Sequence, residues 1–260
     1  MTWNKRKLLR IINWVIIVYC SIGIAFYYLQ DKILLREKVC IQQKPSGMHS
    51  TQFSIPFNQF DTVLVSICHS SRDSISKKLV FYFGPIGHHT ADDSVLVERL
   101  VSLGYDVAIA DYPGFDKSSG DFDEHRMYEY AFQIRRVLQK KYQQASVILF
   151  GYQTGAAFAA NLAISANTGS LVLLHPIGSA PNMLKKYAPI YPWSRMSKYE
   201  LNTIQYIREV KIPTTVLAND EMPELQTALK KSHRYLNAEN DCNHAENCEF
   251  SNEKLQWALQ

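Results

Sequence analysis

The sequence predicts an α/β fold in which helices cover both faces of a mainly parallel, doubly wound sheet. Three observations carry this prediction. Apolar runs of strand length alternate with longer segments of helical spacing over most of the chain. The runs LVFYF (79–83) and LVLL (171–174) are apolar throughout, which is typical of strands buried on both faces. With 47% hydrophobic residues among 260, the chain is large enough for one sizeable core.

A long apolar segment precedes this pattern. Residues 11–29 are interrupted only by Asn13 and Ser21, and a helix over them approaches the ~30 Å of a bilayer core. A cleaved signal peptide needs a shorter apolar core and small residues before the cut, and neither occurs near Tyr27 and Tyr28. Residues 1–30 are therefore predicted to be an N-terminal tip and an uncleaved transmembrane anchor, so the membrane is an expected partner.

The charges that flank the anchor predict its orientation. Lys5, Arg6, Lys7 and Arg10 precede the apolar run, whereas acidic and basic residues are mixed within 31–38. The positive-inside rule then places the N-terminus in the cytoplasm and the rest of the chain outside the cytoplasm. No Asn-x-Ser/Thr sequon occurs, which favours a bacterial periplasm over a eukaryotic lumen.

The strands follow the anchor in order. Residues 31–60 predict a linker with a first edge strand, and 62–70 alternates in polarity as a half-buried strand does. These leading strands are expected to be antiparallel and the later ones parallel. The later strands are predicted at 77–84, 105–114, 145–151, 169–176, 212–220 and 231–238.

Helical segments separate these strands. Residues 94–104 have apolar positions at helical intervals and end at Gly104, while 124–142 predicts a long amphipathic helix. Further helices are predicted from Thr154 and over 252–260. Residues 61–260 are thus expected to form one domain.

A Pro-rich, aromatic excursion interrupts the second half of this domain. It lies over 176–199 and predicts a lid of about residues 176–205. Its stretch PNMLKKYAPIYPW (181–193) is apolar and aromatic, which indicates an acyl or otherwise apolar ligand. The formal charge of +4 is scattered outside the N-terminal cluster and forms no basic stripe, so a nucleic-acid partner is not expected.

The cysteines allow two interpretations. Cys20 lies in the anchor, which leaves Cys40, Cys68, Cys242 and Cys248. In an oxidising compartment Cys242 and Cys248 are close enough in sequence to pair. The same segment, CNHAENC, could instead ligate a metal through both cysteines and His244, but its spacing matches no usual zinc pattern. Neither a metal nor a cofactor is expected.

One short stretch predicts a particular kind of site. In LFGYQTGAAFAANLA (149–163), an apolar strand runs into a turn framed by Gly151 and Gly155, and an Ala-rich helix follows at once. Such a turn places a catalytic serine at the middle of G-x-S-x-G in serine hydrolases. Here the middle residue is Gln153, and an amide is not a nucleophile.

Several stretches resemble, in chain order, the motifs of one known protein family. FYYLQDKILL (26–35) is similar to the segment in which a membrane anchor ends, and FYFGPIG (81–87) is similar to a strand followed by H-G-N-A-G. LGYDVAIADYPGFDKSSG (103–120) is similar to the motif G-Y-x-V-x-x-x-D-Y-R-G-Y-G-K-S-x-G. GYQTGAAFAANLA (151–163) stands where G-H-S-L-G-G-x-x-A is expected, and 191–223 follows a lid and acid-loop segment. Together they resemble the membrane-anchored branch of the α/β-hydrolase superfamily, near its serine-aminopeptidase-like and acyl-hydrolase-like proteins. The resemblance implies the α/β-hydrolase fold.

The resemblance also implies where a catalytic triad would lie. Asp220 follows a predicted strand, and its DEMP is similar to the family's D-E-x-x-P, which makes Asp220 the implied acid. His244 follows it with room for one helix and one strand and is the implied base, with His233 as the alternative. Gln153 occupies the nucleophile position. Thr154 stands where the family uses a backbone N–H for the oxyanion, and its side chain is expected to point elsewhere.

A second departure from the family concerns the oxyanion loop. Aligning FGPIG on H-G-N-A-G puts Phe83 at the histidine and Pro85 at the residue whose backbone N–H usually donates to the oxyanion. Proline has no N–H to donate. His88 and His89 beside this loop are expected to line the pocket as polar residues.

Two functions follow from these departures. Changes at two separate catalytic elements favour a pseudo-hydrolase that has kept its fold and pocket as a binding or interaction module. The alternative is an active hydrolase of acyl ester, thioester or peptide substrates, in which Asp220 and His244 activate a water or another nucleophile.

Overall fold

The strands of this protein form one mixed sheet. The computed structural model describes residues 5–35, 49–58, 61–70, 78–87, 94–115, 117–142, 147–167, 169–218, 222–229, 233–237 and 252–259. The strands within them are β1 (Ser50–Pro56), β2 (Thr62–Cys68), β3 (Leu79–Phe83), β4 (Asp106–Ala110), β5 (Val147–Tyr152), β6 (Ser170–Leu174), β7 (Thr214–Ala218) and β8 (Arg234–Asn237). Their order across the sheet is β1-β2-β4-β3-β5-β6-β7-β8.

The pairing confirms the predicted mixture of directions. β1 pairs antiparallel with β2, and β2 pairs antiparallel with β4. From β4 to β8 every pairing is parallel. The edge strand predicted within residues 31–60 is β1. The carboxyl ends of the parallel strands therefore meet at one edge of the sheet, where a site is expected.

Helices cover both faces of the sheet. The described helices are α1 (Lys5–Leu34), α2 (Ser94–Ser102), α3 (Glu124–Lys141), α4 (Gly155–Ile164), α5 (Ala180–Tyr187), α6 (Trp193–Met196), α7 (Thr203–Glu209), α8 (Pro223–Ala228) and α9 (Asn252–Ala258). Because side chains alternate along a strand, each strand serves two cores. On β3, Phe81 and Phe83 face the core shared with α3, α4 and the lid, whereas Val80 and Tyr82 face α2 and α9.

Helix α1 runs further than the sequence predicts. The anchor is predicted to end at residue 30, but the helix continues to Leu34. The physical reason is burial, since Gln30 and Leu34 are both covered by the domain. Within the described part of the chain, α1 is the one helix long and apolar enough to cross a membrane.

The C-terminal half of α1 is fixed to the lid by polar contacts. The Gln30 side chain is fully buried, where its Nε2 donates to the carbonyl oxygen of Met196 (3.1 Å) and its Oε1 accepts from the backbone N–H of Lys198 (2.8 Å). The neighbouring Asp31 carboxylate binds Lys198 Nζ (2.8 Å) and the Tyr199 hydroxyl (3.1 Å). A buried amide that satisfies two backbone groups fixes the position of the lid against the helix.

The same stretch of the lid is also fixed to α3. Both oxygens of the buried Glu124 carboxylate accept backbone N–H groups, from Glu200 and Leu201, each at 2.8 Å. The Tyr128 hydroxyl donates to the same carboxylate at 2.7 Å. Burial and the charge of Glu124 raise the pKa of Tyr128 far above its usual range, so this hydroxyl keeps its proton. Residues 196–201 of the lid are therefore held from two sides, by α1 and by α3.

Candidate functional site

The turn between β5 and α4 has the geometry of a nucleophile elbow. Gln153 lies between the two elements with a φ of 50°, in the left-handed region that side chains other than glycine rarely adopt. Its backbone N–H donates to the Leu174 carbonyl (3.0 Å), and its own carbonyl accepts from Ala156 (3.2 Å). These two bonds tie the turn to β6 and to the first turn of α4, and they stabilise a backbone conformation that would otherwise be strained.

The two glycines that frame the turn allow α4 to approach the sheet. A Cβ added at Gly155 would collide with the carbonyl oxygens of Phe83 and Gly84, and one at Gly151 would collide with the backbone of Ala156. Both positions therefore require glycine because neighbouring backbone occupies the space of a side chain. This explains the Gly-x-x-x-Gly spacing of the sequence without reference to catalysis.

The Gln153 side chain lies at the floor of a pocket. Its Nε2 donates to the Tyr152 hydroxyl at 3.3 Å, and the residue contributes to the pocket lining. An amide in this position can donate and accept hydrogen bonds, but it offers no nucleophilic atom for acyl transfer. His244, the implied base, lies outside the described residues.

The loop after β3 contacts the turn and has few free backbone donors. Pro85 has no N–H, and the next N–H, of Ile86, donates to Thr154 Oγ1 at 2.8 Å. Both Ile86 and Thr154 are buried. The Tyr112 hydroxyl donates to the Gly84 carbonyl (2.6 Å) and fixes the loop. Pro85 therefore has no backbone donor, and the N–H of Ile86 is already engaged.

Sequence reasoning missed the contact made by Thr154. Its hydroxyl accepts the backbone N–H of Ile86 in the loop after β3. No local signal in the sequence indicates this contact, because it joins residues 68 positions apart. The hydroxyl thus acts as a structural acceptor for Ile86.

Phe83 belongs to the core and not to the pocket. Its ring is buried and packs against those of Phe81 and Phe158, with centroids 4.4 and 6.5 Å apart. The residue that the resemblance aligns with the histidine of H-G-N-A-G is therefore a core side chain. Rebuilding a histidine at this position would bury a polar ring among aromatic residues.

The pocket above Gln153 is large and mostly apolar. Its volume is about 740 Å³, within the range of ~300–1,000 Å³ typical of small-molecule sites. Its lining comes from the turn between β5 and α4, the loop after β3, the lid and the end of α1. Its apolar lining residues include Ile33, Leu34, Ile177, Met183, Ile204 and Met222. Its polar lining residues include Asn182, Lys185, Lys186 and Glu224.

His175 is a pocket residue that sequence reasoning did not select. It follows β6 with a φ of 45°, lines the pocket together with Gln153, and its ring centroid lies 6.3 Å from that of Tyr152. A signal was present, since a polar residue directly after a buried parallel strand lies at the edge where sites form.

The remaining candidate residues lie mostly outside the described part of the chain. These are Asp220, His244, His88, His89, Cys40, Cys242 and Cys248. His233, the alternative base, directly precedes β8 and is not among the pocket-lining residues.

Cys20 and Cys68 are free thiols, and burial raises the pKa of Cys68. Within the described ranges, no group of side chains has the composition of a metal site.

The contact between Thr154 and Ile86 leads to a stability prediction. We expect Thr154→Val to lower the free energy of unfolding by about 1–3 kcal/mol, because a buried N–H loses its acceptor. Denaturant titration of the full chain in detergent measures this change. Thr154→Ser keeps the hydroxyl and serves as the control, so a valine variant as stable as the serine variant would contradict the assignment.

Comparison with known proteins identifies the fold. No family profile and no curated protein sequence matches this chain. An esterase from Pyrococcus furiosus matches 87% of this chain and 94% of its own, with a TM-score of 0.64 and 15% identity. A soluble variant of the monoglyceride lipase from Saccharomyces cerevisiae matches 85% of this chain and 98% of its own (TM-score 0.61, 10% identity). An alpha-beta hydrolase from Vibrio vulnificus matches 80% and 78%, with a TM-score of 0.59 and 15% identity. The predicted fold is thereby confirmed: this chain has the α/β-hydrolase fold.

Proposed function

We propose that this protein is a membrane-anchored pseudo-hydrolase, which binds an apolar or acyl ligand above an elbow that performs no acyl transfer. The observation that carries the proposal is Gln153 at the apex of an intact elbow. The function it supports is binding, because the pocket and the strained turn are present while the nucleophilic atom is replaced by an amide.

The energetics of acyl transfer support inactivity. Loss of the nucleophile costs on the order of 10⁶ in kcat in a serine hydrolase where it was measured. Loss of one oxyanion donor costs about 10²–10³. The two effects are not additive, but Pro85 and the engaged Ile86 N–H add a second defect at a separate element. Either defect alone would make the site a poor catalyst.

The pocket lining supports an acyl or other apolar ligand. Ile33, Ile177, Met183, Ile204 and Met222 present aliphatic or thioether side chains to the cavity. Methionine side chains adapt to chains of varied shape, which suits a flexible acyl group. The fold neighbours are called esterases and a lipase, which agrees with an acyl-binding pocket but says nothing of turnover in this chain.

The contacts of α1 support an anchor that is retained. A cleaved signal sequence would take with it Gln30, whose amide binds the backbone on both sides of the lid turn at Met196 and Lys198. Cleavage after α1 would also remove Ile33 and Leu34 from the pocket wall. The basic cluster before α1 favours a cytoplasmic N-terminus and an extracytoplasmic, periplasmic domain.

The competing function, an active hydrolase, is tested by measuring the esterase activity of the unmodified chain and of variants in which the missing catalytic groups are restored. We expect no labelling by serine-directed fluorophosphonates, and hydrolysis of short acyl esters no faster than with denatured protein. Gln153→Ser alone should restore little, because the loop still lacks donors. Adding Pro85→Asn should raise the rate by about tenfold or more, and Thr154→Val should raise it further by releasing the Ile86 N–H.

The control for this series is Pro85→Asn with Gln153 unchanged, which restores a donor without a nucleophile and should stay inactive. Probe-sensitive esterase activity in the unmodified chain would contradict the proposal and support the active hydrolase.

The membrane topology is tested by reporter fusions at the C-terminus. We expect a reporter that is active only in the cytoplasm to be silent, and one that is active only after export to give a signal. The physical reason is the charge difference across α1. The reverse result would place the domain in the cytoplasm and overturn the orientation.

A further inference from the structure

Two neighbouring lysines line the pocket. Lys185 and Lys186 lie in the last turn of α5, and both are exposed. Among the ion pairs found between described residues, none involves either lysine. The acidic residue of the same lining, Glu224, already accepts a hydrogen bond from Asn182 at 2.9 Å. An apolar cavity therefore opens beside two cations that bind no described carboxylate.

The lid tip, residues 187–191, lies directly against α1. The Tyr19 hydroxyl donates to the Ile190 carbonyl (3.3 Å), and the Tyr191 hydroxyl donates to the Tyr19 carbonyl (2.8 Å). The rings of Tyr19 and Tyr191 stack with centroids 4.7 Å apart. Gly23 permits this approach, since a Cβ there would meet the Tyr191 ring at 2.8 Å. The lid tip and the helix thus share one packed contact.

This contact sets the depth of the lid tip. Tyr19 lies near the middle of the apolar run 11–29, and Leu29 lies ~15 Å further along the helix axis. When the run spans a bilayer, the lid tip that packs on Tyr19 reaches below the membrane surface. The exposed side chains of the tip suit that position, because Tyr187 and Ile190 are 59% and 70% exposed.

The same depth brings the lysines to the headgroups. Lys185 and Lys186 immediately precede the lid tip in sequence, and long basic side chains extend from an apolar region towards the membrane surface. Lys198, fixed to Asp31 at 2.8 Å, lies over the rings of Tyr27 and Tyr28, which are residue types typical of this interface. The pocket therefore opens where lipid headgroups and acyl chains meet.

We propose that the pocket holds a phospholipid with an anionic headgroup, taken from the leaflet on the domain's side, with an acyl chain inside and the headgroup phosphate at Lys185 and Lys186. This inference rests on the proposed function, since it requires an anchored chain and an acyl-binding pocket. It goes beyond the proposed function by specifying that the ligand is anionic and that it comes from the membrane.

The test measures lipid binding to the full chain in uncharged detergent micelles. Dioleoyl phosphatidylglycerol and dioleoyl phosphatidylcholine are compared at equal mole fraction, and bound lipid is counted by native mass spectrometry. We expect the anionic lipid to bind about tenfold or more tightly, since each basic residue near a lipid anion contributes about fivefold. Lys185→Glu with Lys186→Glu should abolish this preference.

Two further variants separate the pocket from general effects. Lys140→Glu with Lys211→Glu makes the same charge change at exposed positions outside the pocket and should keep the preference. Ile177→Trp narrows the pocket and should reduce the binding of both lipids, whereas lipids bound around α1 would be unaffected. Thermal unfolding of each variant checks that it is folded.

Each outcome decides between the two proposals. Equal binding of both lipids, with sensitivity to Ile177→Trp, would overturn the anionic ligand and leave the acyl-binding pocket standing. A preference that survives Lys185→Glu with Lys186→Glu would also overturn it. Binding that is insensitive to Ile177→Trp, or no binding of either lipid, would overturn both proposals.

Discussion

The left-handed backbone at Gln153 is the constraint on which the pocket depends. Such a conformation costs about 1–3 kcal/mol for a residue with a side chain, and it persists only where the surroundings enforce it. Here hydrogen bonds to β6 and to the first turn of α4 enforce the conformation. Two neighbouring glycines, which have no room for a Cβ, allow α4 to pack this closely. The strain directs the Gln153 amide at the pocket floor. A strained apex without a nucleophile is consistent with a site that binds.

The packing of α1 on the lid connects the pocket to the one described helix that is long and apolar enough to cross a membrane. The helix contributes Ile33 and Leu34 to the pocket wall and holds the lid through the buried amide of Gln30. Glu124 fixes the adjacent lid residues Glu200 and Leu201 to α3, so this stretch of the lid has a defined position relative to both helices. Helix α1 is therefore part of the pocket wall, and in the proposed function it also tethers the pocket to the membrane.

Local patterns in the sequence predicted much of the fold and part of the site. Strand and helix periodicity indicated the order of the elements, and the Gly-x-x-x-Gly turn indicated the elbow. Pro85 could be interpreted because its missing N–H is a property of the residue itself. The contacts from Thr154 to Ile86 and from Gln30 to Lys198 could not be predicted, since they join residues 68 and 168 positions apart. The roles of Asp220 and His244 stay predictions, because both lie outside the described residues.

The most direct test of binding without turnover is the fate of a bound acyl ester. The full chain, loaded with dioleoyl phosphatidylglycerol in detergent, is incubated overnight, and its lipid is extracted and identified by mass spectrometry. The account predicts that the bound lipid is recovered intact, with no more free oleate than in a sample containing denatured protein. Release of oleate and lysophospholipid above that level would contradict it.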